Sequence, residues 1–133
     1  MCCLFGMLDY GGTLSARQKN RMLSNLAIEC EARGTDAAGI SYISMGKIHI
    51  YKRPVPAHKL RIYLPNDADF IMGHTRMTTQ GSEKKNYNNH PFMGQIGTDK
   101  FALAHNGILR NDRVLRRSLK LPITKIQTDS YVA

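Results

Sequence analysis

Cys2 is the residue of this chain best suited to covalent chemistry, because it directly follows the initiator methionine. Once Met1 is removed, Cys2 carries a thiol and a free α-amino group on one residue. An α-amino group has a reference pKa of roughly 7.7–8.0, so it can accept a proton near neutral pH, as a general base must. Cys2 is therefore a candidate nucleophile with its own base. Alternatively, a cysteine at the start of a strand serves only as a small buried apolar residue.

The elements that must position this residue alternate between strand and helix patterns. In chain order we predict a strand at 2–6, a helix from 15 to 34, a hairpin at 39–44 and 47–52, a short helix near 57–64, strands at 69–74 and 101–105, and a helix at 112–119. The segment 75–91 is polar and irregular, and loops of that length are usually functional or mobile. A hairpin is antiparallel, so the order predicts mixed α/β layers with at least one antiparallel sheet.

Local signals mark several element ends. Ser15 and Gln18 form a capping-box pair that starts the first helix. Gly34 is expected to end that helix in the C′ position. Met45-Gly46 is the expected hairpin turn. Thr128 reads as the N-cap of one more helix, for which too few residues follow.

The composition fits one domain. The chain has 133 residues, of which 42% are hydrophobic, enough for one modest core. No apolar run approaches the roughly 18 residues of a membrane helix, and the N-terminus lacks a signal-peptide pattern. We therefore expect a soluble, cytoplasmic protein without membrane contacts. Its three cysteines, two of them adjacent, do not indicate a disulfide framework, and no His and Cys spacing indicates zinc.

The net charge of +9 has two readings. Basic residues gather between 110 and 120, and such a cluster can form a nucleic-acid or phosphate-binding face. No aromatic residues are interleaved with these charges, and no nucleic-acid motif accompanies them. We favour a solvated helix surface and keep a basic nucleic-acid-binding module as an alternative.

Six short segments together resemble the glutaminase domain of class II glutamine amidotransferases, which are N-terminal-nucleophile hydrolases. They are Cys2-Cys3-Leu4-Phe5-Gly6, Arg33-Gly34-Thr35-Asp36-Ala37-Ala38-Gly39, Gly73-His74-Thr75-Arg76-Met77-Thr78-Thr79-Gln80-Gly81, Asn89-His90-Pro91, Ala104-His105-Asn106-Gly107 and Thr128-Asp129-Ser130. The glucosamine-6-phosphate synthase and phosphoribosyl amidotransferase types are the most similar. The resemblance implies an α+β fold, a four-layer αββα sandwich over residues 1–133, with the C-terminal portion of the domain missing.

The resemblance also implies a reaction. Cys2 would attack the side-chain carboxamide of L-glutamine, release ammonia and leave a thioester for water to hydrolyse. The Asn106 side-chain amide and the Gly107 backbone N–H would stabilise the oxyanion. The alternative for Asn106-Gly107 is a type I′ turn.

Free glutamine carries an α-carboxylate and an α-ammonium, and the resemblance implies a partner for each. Arg76 would bind the carboxylate through its planar fork, and Asp129 would bind the ammonium. Thr79 would line the same pocket. Without the resemblance, Arg76 reads as an exposed loop arginine and Asp129 as a helix N-cap.

Three positions depart from the family pattern, and two histidines are interpreted as structural residues. Cys3 stands where the family usually has glycine, and Met77 and Gln80 stand where many members have tryptophan and histidine. The histidines His74 and His105 read as buried and satisfied.

We therefore expect a cofactor-free, metal-free glutaminase. Its ammonia would pass to a synthase domain or subunit outside this chain, and a homo-oligomer is compatible with the sequence. The alternatives are a catalytically inactive relic or interaction module, and the nucleic-acid-binding module.

Overall fold

The computed structural model describes all 133 residues and contains two antiparallel sheets. The strands are β1 (Cys3–Leu8), β2 (Ala37–Ser44), β3 (Lys47–Arg53), β4 (Phe70–Arg76), β5 (Phe92–Ile96) and β6 (Asp99–Leu103). The helices are α1 (Ala16–Glu31) and α2 (Asp112–Ser118), with short 3₁₀ turns at Ala57–Lys59, Asn86–Asn88 and Asp129–Val132. One sheet has the order β1-β4-β2-β3, and β5 and β6 form the other. The predicted mixed α/β architecture with an antiparallel sheet is confirmed.

Helix α1 and the segment 57–68 cover one face of the four-stranded sheet. The core between them consists of Leu23, Ala27, Ala38, Ile40, Ala57, Leu60, Ile62, Leu64, Ala68 and Ile71. Fully burying a large aliphatic side chain contributes about 1.5–3 kcal/mol, so this layer fixes α1 on the sheet. The opposite face is covered at the end where His74 packs on His90, but at the other end the paired residues Leu8 and Phe70 are 62% and 55% exposed.

Helix α1 begins as predicted but ends differently. Both hydrogen bonds of the Ser15–Gln18 capping box are present. The C-cap is Ala32, so the predicted C′ role of Gly34 is wrong. Gly34 is required for another reason, because a Cβ there would lie 2.6 Å from the Arg76 carbonyl carbon. The glycine lets the end of α1 approach the end of β4.

The segment after β3 differs from the predicted helix at 57–64. Only Ala57–Lys59 forms a 3₁₀ turn. Leu60, Ile62 and Leu64 are each buried, and the residues between them are exposed, which is the two-residue period of extended chain. This stretch packs as extended chain because its apolar residues alternate.

The segment 75–91 is more ordered than its polarity suggests. Asn88 and Asn89 are fully buried, and their side-chain amides donate to the carbonyl oxygens of Ser82 and Glu83 at 3.1 and 2.8 Å. The next residues form β5, which the sequence analysis missed. Buried amides that hydrogen-bond to the main chain replace the apolar core that this loop lacks.

Three histidines join β4 to the two loops that follow it. The rings of His74 and His90 stack with centroids 4.3 Å apart. His74 Nε2 lies 3.2 Å from the carbonyl oxygen of His105, and the His105 backbone N–H donates to His90 Nδ1 at 3.1 Å. Burial lowers the pKa of His74 to about 4 and that of His90 to about 2. The prediction that His74 is buried is confirmed, but its Nδ1 has no partner.

At the other end of the sheet, a fully buried lysine joins three segments. Lys19 lies within hydrogen-bonding distance of Asp69 and 3.3 Å from Asp9, and it donates to the Asn66 and Ala68 carbonyl oxygens at 3.0 Å. Burial alone would lower the pKa of Lys19, but the hydrogen bonds to the two aspartates outweigh it and raise the pKa. This cation connects α1, the loop after β1 and the loop before β4.

Replacing Lys19 with methionine should lower the free energy of unfolding by about 3 kcal/mol, because Asp9 would stay buried without its cation. Urea denaturation at neutral pH measures the change. The matched control is Lys47→Met at the exposed hairpin turn, for which we expect a change within about 0.5 kcal/mol. Equal stability of the two variants would contradict this role.

Acid should destabilise the fold through His74 and His90. Both are neutral when folded, but in the unfolded chain they titrate near the ordinary value of 6.5, so their stabilisation is complete above pH 6.5 and is lost as the pH falls towards 4. We expect a loss of about 2 kcal/mol per histidine between pH 7 and pH 5. Urea denaturation at both pH values should show a smaller loss for His90→Gln and an unchanged loss for His49→Gln, an exposed control. Identical losses for wild type and His90→Gln would rule out this origin.

Candidate active site

Cys2 lies just before β1, beside the residue that follows β4. Its sulfur accepts a hydrogen bond from the Met77 N–H at 3.4 Å and donates to the Met77 carbonyl oxygen at 3.5 Å. Arg33 Nε donates to the Cys2 carbonyl oxygen at 3.4 Å. With Met1 in place the free amine belongs to Met1, and it lies 3.2 Å from the Met77 sulfur. Main-chain contacts therefore hold the Cys2 thiol at the end of the sheet.

One small cleft gathers residues from five separate parts of the chain. Its walls are Cys2, Arg76, Met77, Thr79, Gln80, His90, His105, Gly107, Thr128, Asp129 and Ser130. Five of the six predicted site residues line this cleft, and Asn106 is the exception. The space left for the centre of a solvent molecule is about 10 Å³, roughly what one water needs. The cleft is thus assembled but nearly closed.

Asn106 and Gly107 occupy a loop between β6 and α2. Gly107 lines the cleft, whereas the Asn106 side chain is exposed. Neither residue has the positive φ that a type I′ turn requires, and no strand follows directly, so the turn alternative is wrong. A Cβ at position 107 would lie 2.4 Å from the His105 ring, so glycine is needed for close packing.

Arg76 is buried, not an exposed loop arginine. Its Nη1 donates to Asn89 Oδ1 at 2.6 Å, and its Nη2 donates to the carbonyl oxygens of Gln80 and Gly81 at 2.6 and 2.9 Å. These three bonds fold the chain after β4 back over the end of the sheet. Arg76 therefore builds the cleft wall as well as lining it.

Asp129 is 3% exposed and faces the cleft from its far side. Its carboxylate accepts a hydrogen bond from the Leu109 N–H at 2.6 Å, so it anchors the loop before α2 and does not cap its own short turn. Thr128 occupies the predicted N-cap position, but its hydroxyl makes no capping bond and is buried without a partner. Next to it, the Ser130 hydroxyl lies 3.0 Å from His105 Nδ1.

Three residues that the sequence does not assign to the site help to build it. Asp36 accepts from the Thr78 N–H at 2.7 Å and so fixes the loop after β4. His90 holds the His105 main chain. Lys52 holds the Pro91 carbonyl oxygen at 2.9 Å, and burial, aided by the charge of Arg76, lowers the pKa of Lys52 to about 8. In the sequence, the signal for this region is the Asn89-His90-Pro91 match, to which the resemblance assigns no role.

The other features of the structure do not provide an alternative active site. A larger cavity of about 490 Å³ lies between the β5–β6 hairpin and the C-terminal segment, with mostly apolar walls and none of the predicted site residues. The chain has no group of three or more His, Cys, Asp and Glu side chains that could hold a metal ion. None of its helices is long and apolar enough to cross a membrane.

Comparisons with known proteins show which family the chain belongs to. The family model described as class-II glutamine amidotransferases matches residues 1–133. Glutamine–fructose-6-phosphate aminotransferase (isomerizing) from Geobacillus kaustophilus is 33% identical over 119 residues, which cover 88% of this chain and 18% of that protein. The proteins of that name from Nostoc sp. and Bacillus licheniformis are each 33% identical over 96% of this chain and 20% and 21% of their own lengths.

The chain thus spans about a fifth of the length of the curated relatives it matches. The comparison with solved structures found no match. The family match over the whole chain includes every residue of the cleft, and the three relatives cover most of the same length. This chain belongs to the class-II glutamine amidotransferases.

Proposed function

We propose that this chain hydrolyses L-glutamine to glutamate and ammonia with Cys2 as the nucleophile. The observation that carries the proposal is the single cleft in which Cys2, Arg76, Thr79, Gly107 and Asp129 meet. These residues come from distant parts of the chain, and they supply a thiol, a cation, an anion and a main-chain donor. Membership of the family supports glutamine as the substrate.

Removal of Met1 would expose the α-amino group of Cys2 as the base. The amine takes the thiol proton, and the sulfur bonds to the carboxamide carbon as the C=O π electrons move to oxygen. The tetrahedral intermediate then expels ammonia, which leaves with the proton returned by the amine. Water adds to the resulting thioester, and the Cys2 thiol is regenerated as glutamate departs.

The developing oxyanion needs hydrogen-bond donors, and the N–H of Gly107, which lines the cleft, is the first donor in this proposal. The Asn106 amide is the second donor in this proposal. Its side chain is exposed, so it must turn inward when substrate binds. Catalytic hydrogen bonds are often incomplete before substrate arrives, so this geometry is compatible with the role.

The two charged groups of glutamine would be bound on opposite walls. Asp129 provides a buried carboxylate for the α-ammonium. Arg76 has five N–H groups, of which three bond to the protein, so one of the remaining two would bind the α-carboxylate. Thr79 lines the same space, and the unpartnered hydroxyl of Thr128 is available to a bound ligand.

We further propose that residues 1–133 form one glutaminase domain of the four-layer αββα type. The exposed apolar pair Leu8 and Phe70 supports a further layer over the uncovered part of this face of the four-stranded sheet. The relatives are named for the transfer of an amino group from glutamine to fructose 6-phosphate. By analogy, ammonia made here would pass to a synthase domain or partner.

The electrophilic glutamine analogue 6-diazo-5-oxo-norleucine should add once to the reduced chain, on a Cys2 that has lost Met1. The reason is that only Cys2 has both an adjacent amine and an oxyanion donor in its cleft. Intact mass and peptide mapping locate the adduct. Cys30→Ser, which leaves the cleft untouched, should label at the wild-type rate, whereas Cys2→Ser should not label. Equal labelling of all three cysteines would contradict the assignment.

Replacing Asp129 with asparagine should lower kcat/KM for glutamine roughly 10- to 100-fold, because a hydrogen bond to a charged group contributes about 1.5–3 kcal/mol. The analogue glutaramate lacks the α-ammonium, so its slower hydrolysis should change little in the variant. Steady-state ammonia release measures both rates. Asp99→Asn, at an exposed strand end, is the matched control. Equal losses for both substrates would mean that Asp129 only anchors the Leu109 loop.

A further inference from the structure

Two cysteine sulfurs lie together beside the candidate site. Cys3 is the first residue of β1, Cys30 lies in the last turn of α1, and their Sγ atoms are 2.7 Å apart. Both thiols are free and half-buried. A disulfide bond is 2.03–2.05 Å long, so the sulfurs need approach only by roughly a further 0.7 Å.

The main chain holds the two cysteines independently of their side chains. Thr75 of β4 is the direct ladder partner of Cys3. The hydroxyl of the same Thr75 donates to the carbonyl oxygen of Cys30 at 2.9 Å. One residue thus fixes the positions of both cysteine backbones, which is what a disulfide requires of its anchor points.

Cys2 is directed elsewhere. Its sulfur bonds to the N–H and carbonyl oxygen of Met77, and successive side chains at the start of a strand point to opposite faces. The thiol next to Cys3 in sequence is therefore not its neighbour in space. The arrangement therefore leaves Cys2 as a separate thiol and brings Cys3 and Cys30 together as a pair.

We propose that Cys3 and Cys30 form a reversible disulfide by exchange with small-molecule disulfides of the glutathione type, while Cys2 stays a free thiol. Nothing in the glutamine chemistry uses this pair. The bridge would join the start of β1 to the end of α1 across 27 positions of the chain.

The exchange takes place in two steps, which together balance the bonds, electrons and protons. The Cys3 thiolate attacks one sulfur of glutathione disulfide, giving a mixed disulfide and one glutathione thiolate. Cys30 then loses its proton and attacks the Cys3 sulfur, releasing the second glutathione. Two electrons and two protons pass from the cysteines to two molecules of glutathione. Cys3 is assigned the first attack because it lies on the edge strand β1, and burial, with Cys3 beside it, raises the pKa of Cys30 well above its ordinary value.

Strand β1 is an edge strand, so Cys3 lies at the border of the sheet. The bridge would fix Cys3, the residue next to Cys2, and would remove the thiol of Cys3 as a competitor of the Cys2 thiol. Formation of the bridge does not depend on the proposed glutaminase activity; only this effect on Cys2 rests on it.

The test equilibrates the chain and its Cys2→Ser variant with mixtures of reduced and oxidised glutathione, followed by acid quenching and peptide mapping. We expect both proteins to lose two hydrogen atoms and to yield a Cys3–Cys30 cross-linked peptide that dithiothreitol removes. Their Tm should rise by about 5 °C or more on oxidation, because the bridge restricts the unfolded chain.

Cys30→Ser and Cys3→Ser are the controls. Both should melt cooperatively, and neither should show the oxidative rise in Tm. A bridge that includes Cys2, or no bridge in glutathione disulfide alone while the protein remains folded, would overturn the proposal. Labelling of Cys2 under reducing conditions is measured separately, so failure of the glutaminase proposal is distinguishable from failure of this one.

Discussion

The burial of the Arg76 guanidinium is the interaction on which the candidate site depends. A buried charge is costly unless hydrogen bonds satisfy it, and here they come from Asn89 and from two carbonyl groups of the chain after β4. Those bonds return the chain over the sheet and bring Met77 against Cys2. Gly34 is part of the same constraint, because a side chain there would collide with the Arg76 backbone.

The β1–β4 ladder has a buried cation at each end. Lys19 contacts Asp9 and Asp69 at the end remote from the cleft, where the Asp9 N–H also donates to the Asp69 carbonyl oxygen at 2.8 Å. Arg76 acts at the end that carries the cleft. Between them the strands are held by ordinary ladder pairing, so the position of Cys2 is set by main-chain geometry and not by a flexible side chain.

Features with local causes could be predicted from the sequence. The Ser15 capping box and the Met45-Gly46 turn depend on neighbouring residues, and both are present. Five of the six predicted site residues line one cleft, and their motifs could be found because each is local in sequence. Features with distant causes were missed: the requirement for Gly34 arises from Arg76, 42 positions later, and β5 forms only because β6 pairs with it. Asn106, for which the motif predicts a role as an oxyanion donor, is exposed in this structure.

The small size of the cleft has a consequence for binding thermodynamics. A space with room for about one water cannot admit a ligand of amino-acid size unless one of its walls moves. Movement of the chain after β4 would disturb some of the Arg76 bonds, so opening by that route would carry a free-energy cost. If the open form is a fraction f of the population, the apparent dissociation constant is the intrinsic one divided by f. Any contact that favours the open form, including one with another protein, would therefore tighten ligand binding without touching the ligand.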